Sequence, residues 1–150
     1  YLELEKLRFT DKFTYSIITG PEIDPGSVLI PNMIIQPFVE NSIWHGLATS
    51  DRKGEISVSF EIRTKSAEGE PVNEMLIRIT DNGIGINRAS QTPKDDHISR
   101  GIKIIEERLQ LLSKKLELPQ PILIDDLANA GTNSQGTEIV ITLPEPLFRY

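Results

Sequence analysis

The run Met75-Leu76-Ile77-Arg78-Ile79-Thr80, which ends in Asp81-Asn82-Gly83-Ile84-Gly85-Ile86, constrains the fold of this chain more than any other stretch. It is rich in β-branched residues and mixes apolar with polar positions, so it reads as a strand that carries Asp81 to a sheet edge. Gly83 and Gly85 then permit a sharp bend with no side chain in the way. A carboxylate held there can accept a hydrogen bond from an exocyclic amine such as that of adenine, and a backbone without Cβ atoms lets a flat ring approach. An ordinary strand-end turn is the alternative reading, because Asp-Asn-Gly is also common turn punctuation.

The neighbouring stretches supply the rest of a sheet. Ile56, Val58, Phe60 and Ile62 alternate with Ser57, Ser59 and Glu61, which predicts an antiparallel partner joined to the first strand by a polar hairpin loop over Thr64 to Asn73. Lys12 to Thr19, with Phe13, Tyr15 and Ile17 on one side, predicts another strand, stopped by Gly20-Pro21 and followed by turns as far as Pro31. A short strand over Pro121 to Ile124 and a last one over Thr137 to Leu143 complete the set. Three stretches read as helices. Leu2 to Arg8 opens the chain, and Ile34, Ile35, Phe38, Val39 and Ile43 recur at helical spacing between Asn32 and about Leu47, with Pro37 close enough to the start to be tolerated. Ile102, Ile105, Leu109, Leu112 and Leu116 mark one face of a long helix that Leu118-Pro119 ends. Asn87 to Ser99 is polar and contains Pro93, so it reads as a loop of the length that often serves as a lid. The pattern predicts a two-layer α/β sandwich, its mixed and mainly antiparallel sheet covered on one face by helices.

Composition narrows the functions available. A length of 150 residues suits one domain, and a net charge of -6 without any dense basic block excludes a general affinity for nucleic acid or anionic lipid. A phosphate site would therefore be local or metal-assisted. The chain has no cysteine, so disulfide and thiolate chemistry are excluded, which fits a reducing cytoplasm. No stretch approaches the ~20 apolar residues of a membrane span. Zinc-ligand spacing, a Walker A sequence and a G-x-S-x-G elbow are all missing, which leaves hydrolase and metalloprotease readings poorly supported. Because the chain opens on Tyr1 directly into a helix, it is expected to be a fragment of a longer protein.

On the helix predicted from Asn32, Asn41 and His45 lie one turn apart and share a face, with Glu40 about 100° round. The carbonyl oxygen of Asn41 is a hard ligand suited to Mg²⁺, and Glu40 could orient a water or act as a base. The alternative is the wet side of an amphipathic helix. Ser99-Arg100-Gly101, read as the start of the long helix, is a candidate phosphate contact, since a helix N-terminus offers free N–H groups. Arg88, Lys94, Arg100 and Lys103 could add positive charge around the lid.

Taken in order, Gln36-Pro37-Phe38-Val39-Glu40-Asn41-Ser42-Ile43-Trp44-His45-Gly46, Asp81-Asn82-Gly83-Ile84-Gly85-Ile86, Gly101 with Glu107-Arg108-Leu109, and Gly136-Thr137 resemble the N, G1, G2 and closing boxes of the GHKL ATPases. The closer resemblance is to the ATP-binding domain of LytS-type sensor histidine kinases, whose phrase Gln-Pro-x-Val-Glu-Asn-x-Ile-x-His-Gly is matched almost without gaps. The resemblance covers practically the whole chain. It implies a Bergerat fold that holds ATP and Mg²⁺, residues 1–10 as the end of a helix leading from a phosphoacceptor domain, and residues 11–150 as the catalytic domain. It also implies phosphoryl transfer to a histidine on that upstream domain, a response regulator as partner, a homodimer only in the full-length protein, and a cytoplasmic position in an inner-membrane sensor. Position by position, it makes Asn41 the Mg²⁺ ligand, Asp81 the acid that reads adenine, Gly83, Gly85 and Ile86 the turn over the base, and Thr137 a support through a water. Gly101 with Arg100 would open the phosphate side, His45 would line the nucleotide pocket, and Glu40 would serve as base or as an orienting group. Three positions depart from the pattern: Trp44 replaces a phosphate-facing lysine, Ser99 a glycine, and Ile104 an asparagine. A nucleotide-responsive interaction module without catalysis, or another GHKL ATPase, is the alternative.

Overall fold

The computed structural model describes residues 1–9, 12–47, 52–65, 71–85, 96–115, 122–126, 135–145 and 147–148. Five strands form one sheet: β1 (Phe13–Thr19), β2 (Gly54–Lys65), β3 (Val72–Asp81), β4 (Ile122–Asp126) and β5 (Thr137–Pro144), in the order β1-β2-β3-β5-β4. β1 runs parallel to β2 and every other neighbouring pair is antiparallel. The parallel pair needs a crossover, and the chain between β1 and β2 supplies it through a helical segment. The β2–β3 ladder runs on to Lys65 opposite Val72, so part of the stretch expected as a hairpin loop belongs to the strands.

Period-two alternation sorts the side chains. Met75, Ile77 and Ile79 of β3, Ile56 and Val58 of β2, and Ile139, Ile141 and Leu143 of β5 are buried in one core with Phe38, Ile43 and Leu109 from the helices. The opposite face carries Ser57, Arg78, Thr80 and Glu138, where Arg78 pairs with Glu138 at 2.9 Å. This is the expected two-layer sandwich. β1 is an edge strand, and only Phe13 of its predicted apolar side is fully enclosed, whereas Ile17 is 58% exposed.

The helices depart from expectation in instructive ways. α1 (Leu2–Arg8) falls where its sequence placed it. The helix expected from Asn32 begins at Gln36 instead: α2 is Gln36–Asn41, continued by a π-helical segment, Ser42–Leu47. Met33 has φ 60, outside helical geometry, and the later start puts Pro37 in the first turn, where its missing N–H costs nothing. A helix running from Asn32 would have buried that proline in its interior. The widened π turn is the kind of irregularity that often accompanies function. The long helix, α3, spans Asp96–Lys115 and packs on α2, with Ile105 and Leu109 buried. It therefore starts earlier than its apolar face suggested, on an acid that the positive end of a helix favours. Of the expected lid, 96–99 are helical and 87–95 lie outside the described residues.

Candidate functional site

One end of the sheet gathers four backbone elements around Asp81. This residue ends β3, opposite Ile56 of β2 and Thr137 of β5. Alternation from Met75, Ile77 and Ile79 turns it toward the helices, and it is 3% exposed. A buried carboxylate needs donors. Among the donors that meet Asp81, the Ser42 hydroxyl donates to Oδ2 at 2.8 Å and the Gly83 N–H donates to Oδ1 at 2.9 Å.

The residues around Asp81 fix that geometry. Asn82 anchors the turn to β2, its Oδ1 accepting from Glu55 N–H at 2.8 Å and its backbone N–H donating to the Glu55 carbonyl at 3.2 Å. Gly83 and Gly85 are buried, and Gly85 has φ 81, a conformation in which a side chain would be strained. Gly136 has φ 131 and passes so near the Asp81 carbonyl that a Cβ added there would lie 1.9 Å from its oxygen. Thr137, one residue on, is 5% exposed in the strand pair with Asp81.

Asn41 and Ser42 are consecutive at the α2-to-π junction, so the hydrogen bond from Ser42 brings the end of α2 against Asp81. Glu40 accepts a hydrogen bond from Gln36 Nε2 at 2.8 Å. Trp44 meets α1. Its ring lies 5.1 Å from that of Phe9, edge to face, and the Arg8 guanidinium sits 4.8 Å from its centre. Tyr1 joins this contact, and partial burial, reinforced by the charges of Glu40 and Glu5, pushes its phenol up to about 12 against a hydrogen bond from Trp44. The residue in place of a lysine thus serves the α1 contact. Trp44→Ala is expected to cost about 1–2 kcal/mol, lowering the melting temperature by roughly 3–6 °C, and to open Lys6 and Arg8 to trypsin; limited proteolysis with a thermal melt checks it.

The backbone of His45 lies in the π-helical segment. Arg100 and Gly101 lie inside α3, a full turn beyond Asp96, where their N–H groups are engaged by the helix itself. This corrects their expected place at the helix start, and free N–H groups belong to an earlier turn. Ile86, Arg88 and Lys94 lie outside the described residues, while Lys103 is exposed and Ile104 is 62% exposed. Two hollows open along the sheet, the second of them on its polar face. One, of about 390 Å³, is apolar and lies between α1, β1, β2 and α2; the other, of about 380 Å³, borders Asp81 and Asn82 with Ser16, Ser57 and Thr80.

Sequence reasoning missed Ser42 as a partner of Asp81, and it placed Gly136 in the closing box without the close backbone approach seen here. The signal for Ser42 was present: it is a hydroxyl one turn beyond Phe38, among Val39 and Ile43 on the apolar arc of the helix, where a polar group requires a partner.

No protein-family model matches the sequence. Individual proteins do. The uncharacterised protein YwpD of Bacillus subtilis (strain 168) is 30% identical over 136 residues, 89% of this chain and 44% of its own length. The sensor histidine kinase YpdA of Escherichia coli (strain K12) is 33% identical over 58% of this chain and 14% of its own length. The sensor protein LytS of Oceanobacillus iheyensis is 36% identical over 57% of this chain and 13% of its own length. The chain thus spans less than half the length of these relatives. Among solved structures, the histidine kinase domain of a blue-light activated kinase from Erythrobacter litoralis superposes with a TM-score of 0.50 at 12% identity, over 95% of this chain and 59% of that one, a likeness of fold.

Proposed function

Because this chain is homologous to sensor histidine kinases and shares the fold of a histidine kinase domain, consistent with a LytS-type ATP-binding domain, we propose that it is the catalytic domain of such a kinase. In this reading it binds Mg-ATP and presents the γ-phosphoryl group to a histidine on an upstream phosphoacceptor domain of the same protein. The observation that carries the reading is the Asp81 carboxylate, buried and pinned by Ser42 and Gly83 where β2, β3, β5 and α2 converge. It fits an adenine amine because it is fixed, acceptor-only and flanked by glycines that leave room for a flat base.

Asn41, beside Ser42, would hold Mg²⁺ by its carbonyl oxygen together with phosphate oxygens. When bound, the ion neutralises charge developing on the transferring group. This chain's own part is positioning: Asp81 and the Gly83–Gly85 turn would hold the base, with Thr137 supporting it through a water. Glu40 would belong to the phosphate side. Residues 1–10 would bring the link from the phosphoacceptor domain, and residues 11–150 the catalytic unit. Dimerisation, the response regulator and a cytoplasmic position in a membrane-bound sensor are features of the full-length protein in this proposal.

A second reading, a nucleotide-responsive module without catalysis, draws on the phosphate side, where Trp44 faces α1 and Arg100 and Gly101 lie within a helix. Incubating the full-length protein with radiolabelled ATP separates the two. Label on histidine supports the kinase, and binding without label favours the module. Asn41→Ala is expected to weaken ADP binding about tenfold in the presence of Mg²⁺ and to leave it unchanged in a chelator, by calorimetry.

A further inference from the structure

We infer that the outer edge of β1 is an interface between two copies of this chain, which pair antiparallel across a two-fold axis at Ser16 and join their sheets. The hydrogen bonds at the two ends of β1 show which backbone groups are available. Gly54 N–H donates to the Lys12 carbonyl at 2.8 Å and Gly20 N–H donates to the Phe60 carbonyl at 2.9 Å, so the even-numbered residues turn their backbone toward β2. A strand alternates from one residue to the next, and the N–H and C=O groups of Phe13, Tyr15, Ile17 and Thr19 therefore point away from the sheet. No described residue bonds them. β1 also lacks the devices that keep such an edge from pairing. Phe13–Thr19 contains no charge and no proline, and its register with β2 runs through all 7 residues without a bulge. The opposite edge differs, since β4 has 5 residues and ends in Asp125-Asp126.

The occupant that matches this edge is the same strand. A closed dimer uses one patch twice, so the patch must complement itself. Antiparallel pairing about Ser16 sets Tyr15 opposite Ile17 and Phe13 opposite Thr19, the residues whose N–H and C=O groups point outward, and each group then finds its complement. The side chains agree with this register. On the helix side Tyr15 meets Ile17, an aromatic against a β-branched residue; on the polar face Thr14 meets Ile18, and Ser16 meets its own copy. Ile17 and Ile18, 58% and 56% exposed, are covered in this way. Charge agrees as well, because Lys12 of one copy falls opposite Gly20 of the other, two residues from Glu22. One strand pair makes a small interface, so the dimer is expected to be weak and concentration-dependent. The contact needs only the present chain and is separate from the dimerisation assigned above to the full-length protein.

Sedimentation equilibrium from about 5 to about 500 µM tests the inference. The native chain is expected to rise toward twice its monomer mass across that range. Ser16→Lys and Ser16→Glu each set like charges face to face at the two-fold axis, and each is expected to stay monomeric. An equimolar mixture of the two is expected to regain the dimer mass, because lysine then faces glutamate. Ser16 is exposed and its hydroxyl meets Ser57 only at 3.3 Å, so both variants are expected to keep the native melting curve, which is recorded alongside. A native chain that is monomeric at about 500 µM overturns the interface. Folded single variants that still dimerise place the contact elsewhere and overturn it too, and a mixture that stays monomeric overturns the pairing about Ser16.

Discussion

Gly136→Ala is expected to destabilise the protein by about 3 kcal/mol or more, a fall of roughly 10 °C in melting temperature, and to abolish nucleotide binding with it. Two costs add at this position. The backbone has φ 131, a region that residues with a Cβ avoid, and the new Cβ would fall 1.9 Å from the carbonyl oxygen of Asp81, with Asn82 Cα at 3.0 Å. The obstacle is backbone, so no rotamer change relieves it. Relief requires the β5 entry to move away from β3, which separates Thr137 from Asp81. Gly26→Ala is the control, because a Cβ there meets only the Asp24 carboxylate, at 3.4 Å, and its effect is expected within about 0.5 kcal/mol. Thermal unfolding of the two variants checks the contrast, and an unaltered melt for Gly136→Ala would show that the strand entry yields easily.

The second large effect is on binding. Asp81→Asn is expected to weaken ADP on the order of 100-fold while changing stability much less. The carboxamide is isosteric, and its oxygen can still accept from Gly83 N–H while its amide group donates to the Ser42 oxygen. Ser42 and Gly83 therefore remain satisfied. What disappears is the charge and one acceptor, and an incoming amine then faces another N–H₂ group. Calorimetry on the variant, with a melt to show that it is folded, measures the loss. Unchanged ADP affinity in a folded Asp81→Asn protein would remove the adenine assignment.

Much of this architecture was legible in the residues because alternation and burial agree along β2, β3 and β5. Asp81 and the glycine turn were legible for the same reason, since a strand pattern that stops in Asp-Asn-Gly announces both an edge and a bend. The helices were harder. The apolar spacing of Ile34, Ile35 and Phe38 extends upstream of Gln36, but spacing does not register that Pro37 is tolerated only in a first turn, or that Met33 adopts φ 60. At α3 the error ran the other way. Asp96 to Ser99 lack an apolar stripe, yet an acidic first turn is good helix chemistry, and the helix begins there. A start that far upstream removes Arg100 and Gly101 from the free N–H groups of the first turn. Edge strand β1 shows a further limit: the alternation of Phe13, Tyr15 and Ile17 is real, but at the sheet margin there is little to cover Ile17. Trp44 could not be placed from spacing, because its partners Arg8 and Phe9 come from the end of α1 and the residue that follows it. Ser42 is not legible from the polar face that carries Asn41 and His45, because its hydroxyl lies on the buried one.

Direct observation of the nucleotide is the strongest test of the account, and a crystal structure of this chain grown with ADP and Mg²⁺ provides it. The account predicts the exocyclic amine of adenine within about 3 Å of the Asp81 carboxylate, with Ser42 and Gly83 still bonded to that group. Adenine seated in the apolar hollow beside α1, or anywhere that leaves Asp81 without a ligand contact, would contradict it.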